Sequence, residues 1–183
     1  MAVLPSSHRF VVTLNEPVNE PPFILKVCQN KEALVLLKNE IDMLKTIKKV
    51  LTKDSTGREF LQELVDAGTT NFTNVAFNFG DLFSYMHKMQ EQQKRPDKEF
   101  LHEISLGIYQ GLSAIHSISI THNDMKPENI LLHKSNERIL PKICDFEYAT
   151  ENGEKPLGGT SGKRKIRHTT DVSLLSFCRF RTT

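Results

Sequence analysis

One stretch of the sequence, SISITHNDMKPENILLHKSNERILPKICDFEYA from Ser117 to Ala149, limits the fold more than any other. Its polar segment HNDMKPEN lies between the apolar runs SISI and NILLH, and a third apolar run, ILPKICDF, follows. Two apolar runs joined by KSNER predict the strands of a hairpin. The polar loop before this hairpin is therefore held at both ends by buried structure, which is how rigid scaffolds present catalytic groups.

The first part of the chain predicts strands around a single helix. RFVVTL (Arg9–Leu14) and FILKVC (Phe23–Cys28) have the apolar content of strands and are separated by a proline-rich turn that no strand can cross. A helix is predicted from about Lys31 to Lys49, and two further strands are predicted near Phe60–Val65 and Phe72–Phe79. The helix follows from apolar residues that recur three and four positions apart, at Leu34, Leu37, Ile41 and Leu44.

The second part predicts helices, the hairpin and a loop. GDLFSYMHKMQEQQ predicts a short helix, and Asp97 is the expected N-cap of a longer helix that ends near His116. Residues 150–170 predict a loop, and DVSLLSFCRF near the end predicts the start of another helix. This segregated order predicts an α+β fold in two lobes within a single domain, 1–183: a β-rich N-terminal lobe with one helix over 1–79, and a mainly helical, incomplete C-terminal lobe over 80–183.

Composition excludes several classes of protein. The chain has 183 residues, 38% hydrophobic and 25% charged, which suits one folded domain and excludes a wholly disordered chain. A net charge of +2 is too small to indicate nucleic-acid binding, and the three cysteines fit no zinc spacing. The N-terminus does not resemble a signal peptide, and no apolar run approaches ~18 residues. We therefore expect a cytoplasmic or nuclear protein that binds neither membranes nor nucleic acids.

Four residues in this stretch suit the transfer of a phosphoryl group. The carboxylate of Asp124 can accept a hydroxyl proton, and Lys126 can neutralise phosphate charge. The carboxamide oxygen of Asn129 and the carboxylate of Asp145 are oxygen ligands of the kind that Mg²⁺ prefers. Phosphoryl transfer depends mostly on positioning and charge neutralisation, so these residues would supply its main requirements.

At these residues the sequence resembles the protein kinase family. HNDMKPENILL is similar to the catalytic loop of that family, and DFE is similar to its Asp-Phe-Gly motif. FILK resembles the strand that bears the ATP-anchoring lysine, KNEIDMLKTI resembles the helix whose glutamate pairs with it, and GDLFSYM resembles the segment after the hinge. The HND loop is also similar to loops of small kinases of large DNA viruses, notably baculoviruses. The resemblance covers roughly residues 9–177.

The resemblance implies a role for each matching residue. Asp124 would orient or deprotonate the substrate hydroxyl, Lys126 would steady the transferred group, and Asn129 and Asp145 would hold Mg²⁺. Lys26 would contact the ATP phosphates and pair with Glu40, Leu131 would lie under the adenine, and Asp171 would brace the catalytic loop. Three more positions would stack into an apolar column between the lobes: Leu44, His122 and Phe146.

The sequence also departs from the family pattern. VVTLNEPVNEPPF before Lys26 contains no glycine, so the backbone clamp over the phosphates is expected to be absent or built differently. Ile24 stands where the family has a small alanine, Asn123 replaces an arginine that answers a loop phosphate, and Glu147 replaces the glycine of Asp-Phe-Gly. No Ala-Pro-Glu follows, so the large lobe is expected to be truncated.

Two functions follow from the resemblance. The first is an ATP- and Mg²⁺-dependent serine/threonine protein kinase of reduced activity, acting on a protein substrate, with its favoured autophosphorylation sites at Thr160, Ser161, Thr169 and Thr170. The alternative is a non-catalytic kinase mimic that binds and regulates a partner kinase. An incomplete C-terminal lobe would leave apolar surface that an oligomer could cover.

Overall fold

The computed structural model describes residues 9–12, 23–28, 31–69, 80–135, 138–151, 153–154 and 176–181. Within them lie three α-helices and eight strands, which make an α+β architecture. The helices are α1 (Lys31–Val50), α2 (Leu82–Glu91) and α3 (Lys98–Ser117). The strands are β1 (Arg9–Val12), β2 (Phe23–Cys28), β3 (Glu63–Thr69), β4 (Ile120–Thr121), β5 (Ile130–Ser135), β6 (Arg138–Ile143), β7 (Thr150–Glu151) and β8 (Ser176–Arg181).

The predicted elements of the first part are largely confirmed. Strand β2 has the predicted bounds, and α1 extends one residue beyond its predicted end. The strand expected near Phe60–Val65 is shifted, because Arg58–Phe60 forms a 3₁₀ turn and β3 begins at Glu63. The strand expected over 72–79 lies outside the described residues.

Helix α1 presents an apolar stripe that contains one acid. Leu37, Leu44 and Ile47 are almost fully buried, and Glu40 lies between them on the same face with no exposed surface. Burial of a charged carboxylate is costly unless a cation compensates it. The helix therefore fixes the position of a partner for Glu40, and the apolar residues on either side set the depth at which the two meet.

Helix α3 packs against the hairpin through glycine. It starts at the predicted N-cap Asp97, whose side chain accepts a hydrogen bond from the backbone N–H of Phe100 at 2.7 Å. A Cβ on Gly107 would come within 2.5 Å of Pro141 in β6, and one on Gly111 would come within 2.8 Å of Ile143. The absence of a side chain at these two positions therefore lets the helix approach β6 closely.

The hairpin forms where the sequence predicts it, although Lys134, Ser135 and Arg138 of the predicted KSNER connection belong to its strands. Strands β5 and β6 pair antiparallel from Ile130 opposite Ile143 to Ser135 opposite Arg138. Strands β4 and β7 form a second, two-stranded sheet, so residues 150 and 151 are paired rather than part of the predicted loop. The polar segment HNDMKPEN therefore connects β4 to β5, and β7 follows shortly after β6.

The predicted helix near the end of the chain is wrong for residues 176–181. These residues form β8, which lies between β2 and β3 in a four-stranded sheet of order β1-β2-β8-β3 and is antiparallel to both neighbours. A short apolar run does not distinguish a helix from a strand by its pattern, and here two strand edges supply hydrogen-bond partners on both sides. The lobe boundary at residue 79 stays a prediction, although β8 joins the sheet that contains β2.

A disulfide can test the position of β8. Cys178 lies opposite Ala67 of β3 in the sheet, and directly opposed Cα atoms in antiparallel strands are about 4.5–5.5 Å apart. Because disulfides span about 4.4–6.8 Å between Cα atoms, an Ala67→Cys variant should form an intramolecular disulfide with Cys178 under mild oxidation. Peptide mapping by mass spectrometry would detect it. Ala67→Cys combined with Cys178→Ser is the control, and failure of the introduced cysteine to pair with Cys178 would contradict this strand order.

None of the three described α-helices has the length and hydrophobicity needed to cross a lipid bilayer.

Candidate active site

A buried lysine in the sheet meets three acids. Lys26 in β2 is 4% exposed, and its Nζ lies 2.6 Å from Oε2 of Glu40 and 2.6 Å from Oδ1 of Asp145. A third carboxylate, from Glu147, approaches the same nitrogen at 3.0 Å. The structure thus brings together residues that are 14 and 119 positions apart in sequence. We call Lys26, Glu40, Asp145 and Glu147 the ion cluster.

Glu40 connects the ion cluster to the segment after Asp145. Its second carboxylate oxygen, Oε1, accepts a hydrogen bond from the backbone N–H of Phe146 at 3.2 Å. Charge-assisted hydrogen bonds of this kind are stronger than neutral ones. The position of α1 and the path of the backbone beyond Asp145 are therefore fixed by the same buried side chain.

Asp145 has an unusual backbone conformation. Its φ of 71° and ψ of 67° lie in the left-handed region, which costs free energy for a residue other than glycine. It directly follows Cys144, whose backbone N–H donates to the carbonyl of Asn129 at 3.0 Å. This bond ties the start of the Asp-Phe-Glu segment to the polar loop, and the left-handed turn then directs Asp145 to Lys26.

The polar loop gathers a second group of predicted residues. Asp124 is 3% exposed, and its Oδ2 accepts hydrogen bonds from Nζ of Lys126 at 2.7 Å and from Nδ2 of Asn129 at 3.0 Å. The same amide of Asn129 donates to the backbone carbonyl of Asp124 at 2.8 Å. The Asp124 carboxylate is thus held by one cation and one amide, while the ammonium of Lys126 stays partly exposed and can reach a bound ligand.

His122 fixes the backbone of this polar loop through hydrogen bonds. Its Nδ1 accepts the backbone N–H of Asp124 at 3.3 Å, so Nε2 is the nitrogen that bears the proton and donates to the carbonyl of Cys144 at 3.0 Å. The imidazole also packs on Phe146, with ring centroids 4.9 Å apart. His122 and Phe146 are almost fully buried, as is Leu44 of the predicted apolar column.

Leu131 contacts the chain just before α2. It is 9% exposed in β5 and forms an isolated bridge with Asp81, the residue that caps α2 by accepting the backbone N–H of Ser84 at 2.6 Å. The backbone N–H of Leu132 donates to the carbonyl of Gly80 at 3.3 Å. This places Leu131 where the chain that precedes α2 meets the hairpin. Its predicted contact with adenine stays a prediction.

The oxygen donors in this region have the chemistry that a divalent cation requires. Ligand oxygens of Glu40, Asp145 and Glu147 lie within 4.8 Å of one another. The amide nitrogen of Asn129 is turned to Asp124, so its amide oxygen is the end that would face a cation. Carboxylate and carboxamide oxygens suit Mg²⁺, and the predicted pair Asn129 and Asp145 therefore fits this metal.

The sequence analysis did not predict two sets of contacts in the site. Asn39 donates from Nδ2 to the carbonyls of Glu147 and Ala149, both at 2.9 Å, and its only sequence signal is a carboxamide beside Glu40 in a predicted helix. The contact between Glu147 and Lys26 was not predicted, although the added negative charge at this position was. Asp171 and the four predicted acceptors at 160, 161, 169 and 170 lie outside the described residues.

Comparison with known proteins identifies the family of this chain. A match to the protein kinase domain covers residues 58–165, more than half of the chain. A probable serine/threonine-protein kinase of Saccharomyces cerevisiae is 44% identical over 70 residues, which is 38% of this chain and 4% of that protein.

Other relatives match longer parts of the chain. A mitogen-activated protein kinase kinase of Aspergillus fumigatus is 33% identical over 90 residues, 48% of this chain and 17% of its own length. A serine/threonine-protein kinase of Caenorhabditis briggsae is 28% identical over 131 residues, 72% of this chain and 10% of its own. This chain thus spans a minor part of each of these relatives. Because the family match covers more than half of the chain and includes the polar loop and Asp145, the chain belongs to the protein kinase family.

Proposed function

We propose that this chain transfers the γ-phosphoryl group of ATP to serine or threonine hydroxyls of protein substrates. The observation that supports this most is the ion cluster, in which Lys26, Glu40 and Asp145 meet at 2.6 Å from three separate elements. Such a buried group of three acids and one lysine is costly to fold, because desolvation of several charges opposes it. A catalytic need for the charges would explain why the chain has them.

Each site residue has its own role in the proposed reaction. Asp124 orients the acceptor hydroxyl and takes its proton as the oxygen forms a bond to the γ-phosphorus, while the bond from that phosphorus to the β-γ bridging oxygen breaks and ADP leaves. Lys126, bound to Asp124 at 2.7 Å and partly exposed, neutralises charge on the transferred group. Lys26 exchanges part of its carboxylate contacts for phosphate oxygens. Asn129 and Asp145 would hold Mg²⁺, which supplies charge neutralisation at the phosphates.

Departures from the family pattern lead us to propose reduced activity. The segment before Lys26 contains no glycine, and Glu147 adds a carboxylate 3.0 Å from the lysine that is to meet the phosphates. A negative charge at that distance competes with phosphate oxygens for the same ammonium group. The names of two relatives, both serine/threonine-protein kinases, support the choice of acceptor hydroxyl.

The alternative function is a mimic that binds a partner kinase without catalysis. The contact between the Glu147 carboxylate and the Lys26 ammonium group favours this alternative. The hydrogen-bonded arrangement of Asp124, Lys126 and Asn129 favours the enzyme. The proposed partner is a protein substrate in the first case and another kinase in the second. An oligomer that covers apolar surface stays a prediction in both.

A transfer assay distinguishes the two functions. Purified protein incubated with Mg²⁺ and γ-labelled ATP should label itself slowly on Ser or Thr, with mass spectrometry mapping sites to residues 160–170, and an Asp124→Asn variant should not. Label that is equal in both proteins would come from a contaminating kinase. If neither protein is labelled while Mg·ATP still raises the melting temperature of the wild type, the mimic is the better description.

A further inference from the structure

The backbone just after the ion cluster is bound by two asparagine side chains. Nδ2 of Asn39 donates to the carbonyls of Glu147 and Ala149, both at 2.9 Å. Nδ2 of Asn123 donates to the carbonyl of Tyr148 at 3.0 Å. Three consecutive backbone carbonyls, from residue 147 to residue 149, therefore accept hydrogen bonds from side-chain amides rather than from a regular strand or helix.

Asn123 makes further contacts that strengthen this hold. Its amide lies 2.9 Å from Oγ1 of Thr150 and 3.3 Å from the carbonyl of Thr121, so it bridges the two strands β4 and β7. Asn123 has a φ of 63°, a left-handed conformation that asparagine tolerates better than most residues. We call Asn39 and Asn123 the asparagine clamp.

The two clamp residues stand next to the predicted site residues. Asn39 directly precedes Glu40 in α1, and Asn123 directly precedes Asp124 in the polar loop. The segment 145–150 is consequently bound from both sides by the elements that present the glutamate and the aspartate. Any movement of this segment would break contacts with both elements at once.

The segment needs such a hold because several effects oppose its position. Asp145 is in a left-handed conformation, and its carboxylate and that of Glu147 lie close to the carboxylate of Glu40. Like charges at this separation repel each other, and one lysine compensates only part of the charge. Strand β7 has two residues, so its pairing with β4 supplies few backbone hydrogen bonds.

We propose that Asn39 and Asn123 are positioning residues that hold segment 145–150 against α1 and the polar loop, and so keep Asp145 and Glu147 on Lys26. The effect on phosphoryl transfer rests on the proposed function, whereas the effect on the ion cluster does not.

The accessibility of Lys26 to chemical modification measures the clamp directly. The test uses the full chain without nucleotide, an amine-reactive acylating reagent in short pulses, and mass spectrometry of each lysine. Asn39→Asp and Asn123→Asp are nearly isosteric but place an acceptor against the backbone carbonyls. Each should raise the modification rate of Lys26 by about fivefold or more, the factor expected for loss of a net hydrogen bond.

Two controls distinguish release of the clamp from unfolding of the whole protein. Lys142 in β6 is partly buried, and the charged groups that act on its pKa are Arg58, Glu59 and Glu63 rather than members of the ion cluster, so its rate should stay unchanged. Gln90→Glu, the same amide-to-carboxylate change at an exposed position of α2, should alter neither rate. A rise at Lys26 alone supports the clamp, and an unchanged rate at Lys26 in both Asp variants overturns it.

If Lys26 and Lys142 become reactive together, the variant has lost its fold. The milder Asn39→Ser and Asn123→Ser variants then provide the test of the clamp. Each must raise the Lys26 rate alone, or the proposal fails. Where the wild type transfers phosphate, the clamp variants should lower kcat by about fivefold or more. A wild type without transfer leaves the modification result decisive for the clamp.

Discussion

Replacement of Lys26 by Met is expected to destabilise the folded protein by about 3–5 kcal/mol, because it leaves three carboxylates without their shared cation. Glu40 has no exposed surface and Asp145 is 3% exposed, so water cannot replace the lost ammonium group at either acid. Glu147 is only slightly more accessible, with 13% of its side chain exposed. Since small domains are stable by about 5–15 kcal/mol, this one substitution should remove a large part of the total. Urea unfolding followed by circular dichroism measures it.

The matched control is the same substitution at an exposed ion pair. Lys48 lies 3.8 Å from Glu63, and 58% of its side chain is exposed, so Lys48→Met should cost below about 1 kcal/mol. A double variant, Lys26→Met with Glu147→Gln, should be more stable than Lys26→Met alone, because it removes one of the uncompensated charges. Equal stability of Lys26→Met and the wild type would contradict the buried ion cluster.

Replacement of Phe146 by Ala is expected to cost about 3–5 kcal/mol, the range for a large buried aromatic side chain. Phe146 has no exposed surface, packs on His122, and lies in the same hydrophobic core as Leu44. Its removal opens a cavity between α1 and the polar loop, and the surrounding structure can close it only by moving elements that bear site residues. Thermal melting and urea unfolding would report the loss.

Phe83 in α2 supplies a control with the same side chain. It is 50% exposed, so Phe83→Ala should change the free energy of unfolding by less than about 1 kcal/mol. Phe146→Leu, which keeps most of the apolar volume, should recover part of the stability lost in Phe146→Ala. A similar small effect at both phenylalanines would show that Phe146 is not part of the core that supports the site.

The sequence alone predicted the elements whose signals are local. The apolar stripe of α1, the Asp97 cap of α3 and the paired strands of the hairpin are each encoded within a few neighbouring residues. The polar loop and Asp145 were also identified from their spacing, because a family pattern fixes residue types at set offsets. Their roles in catalysis remain proposals.

Tertiary structure decided what depends on partners distant in sequence. Residues 176–180 were predicted as part of a helix but belong to β8, because the edges of β2 and β3 supply hydrogen bonds that no local pattern reveals. The contact of Glu147 with Lys26 and the bonds of Asn39 likewise join residues more than 100 positions apart. The sequence thus determined which side chains are present at each local element. Only the packing of α1, β2 and the 145–150 segment determined that four charges and two amides meet. The physical reason is that electrostatic and hydrogen-bond free energies depend on distances of a few ångströms, which no sequence spacing specifies.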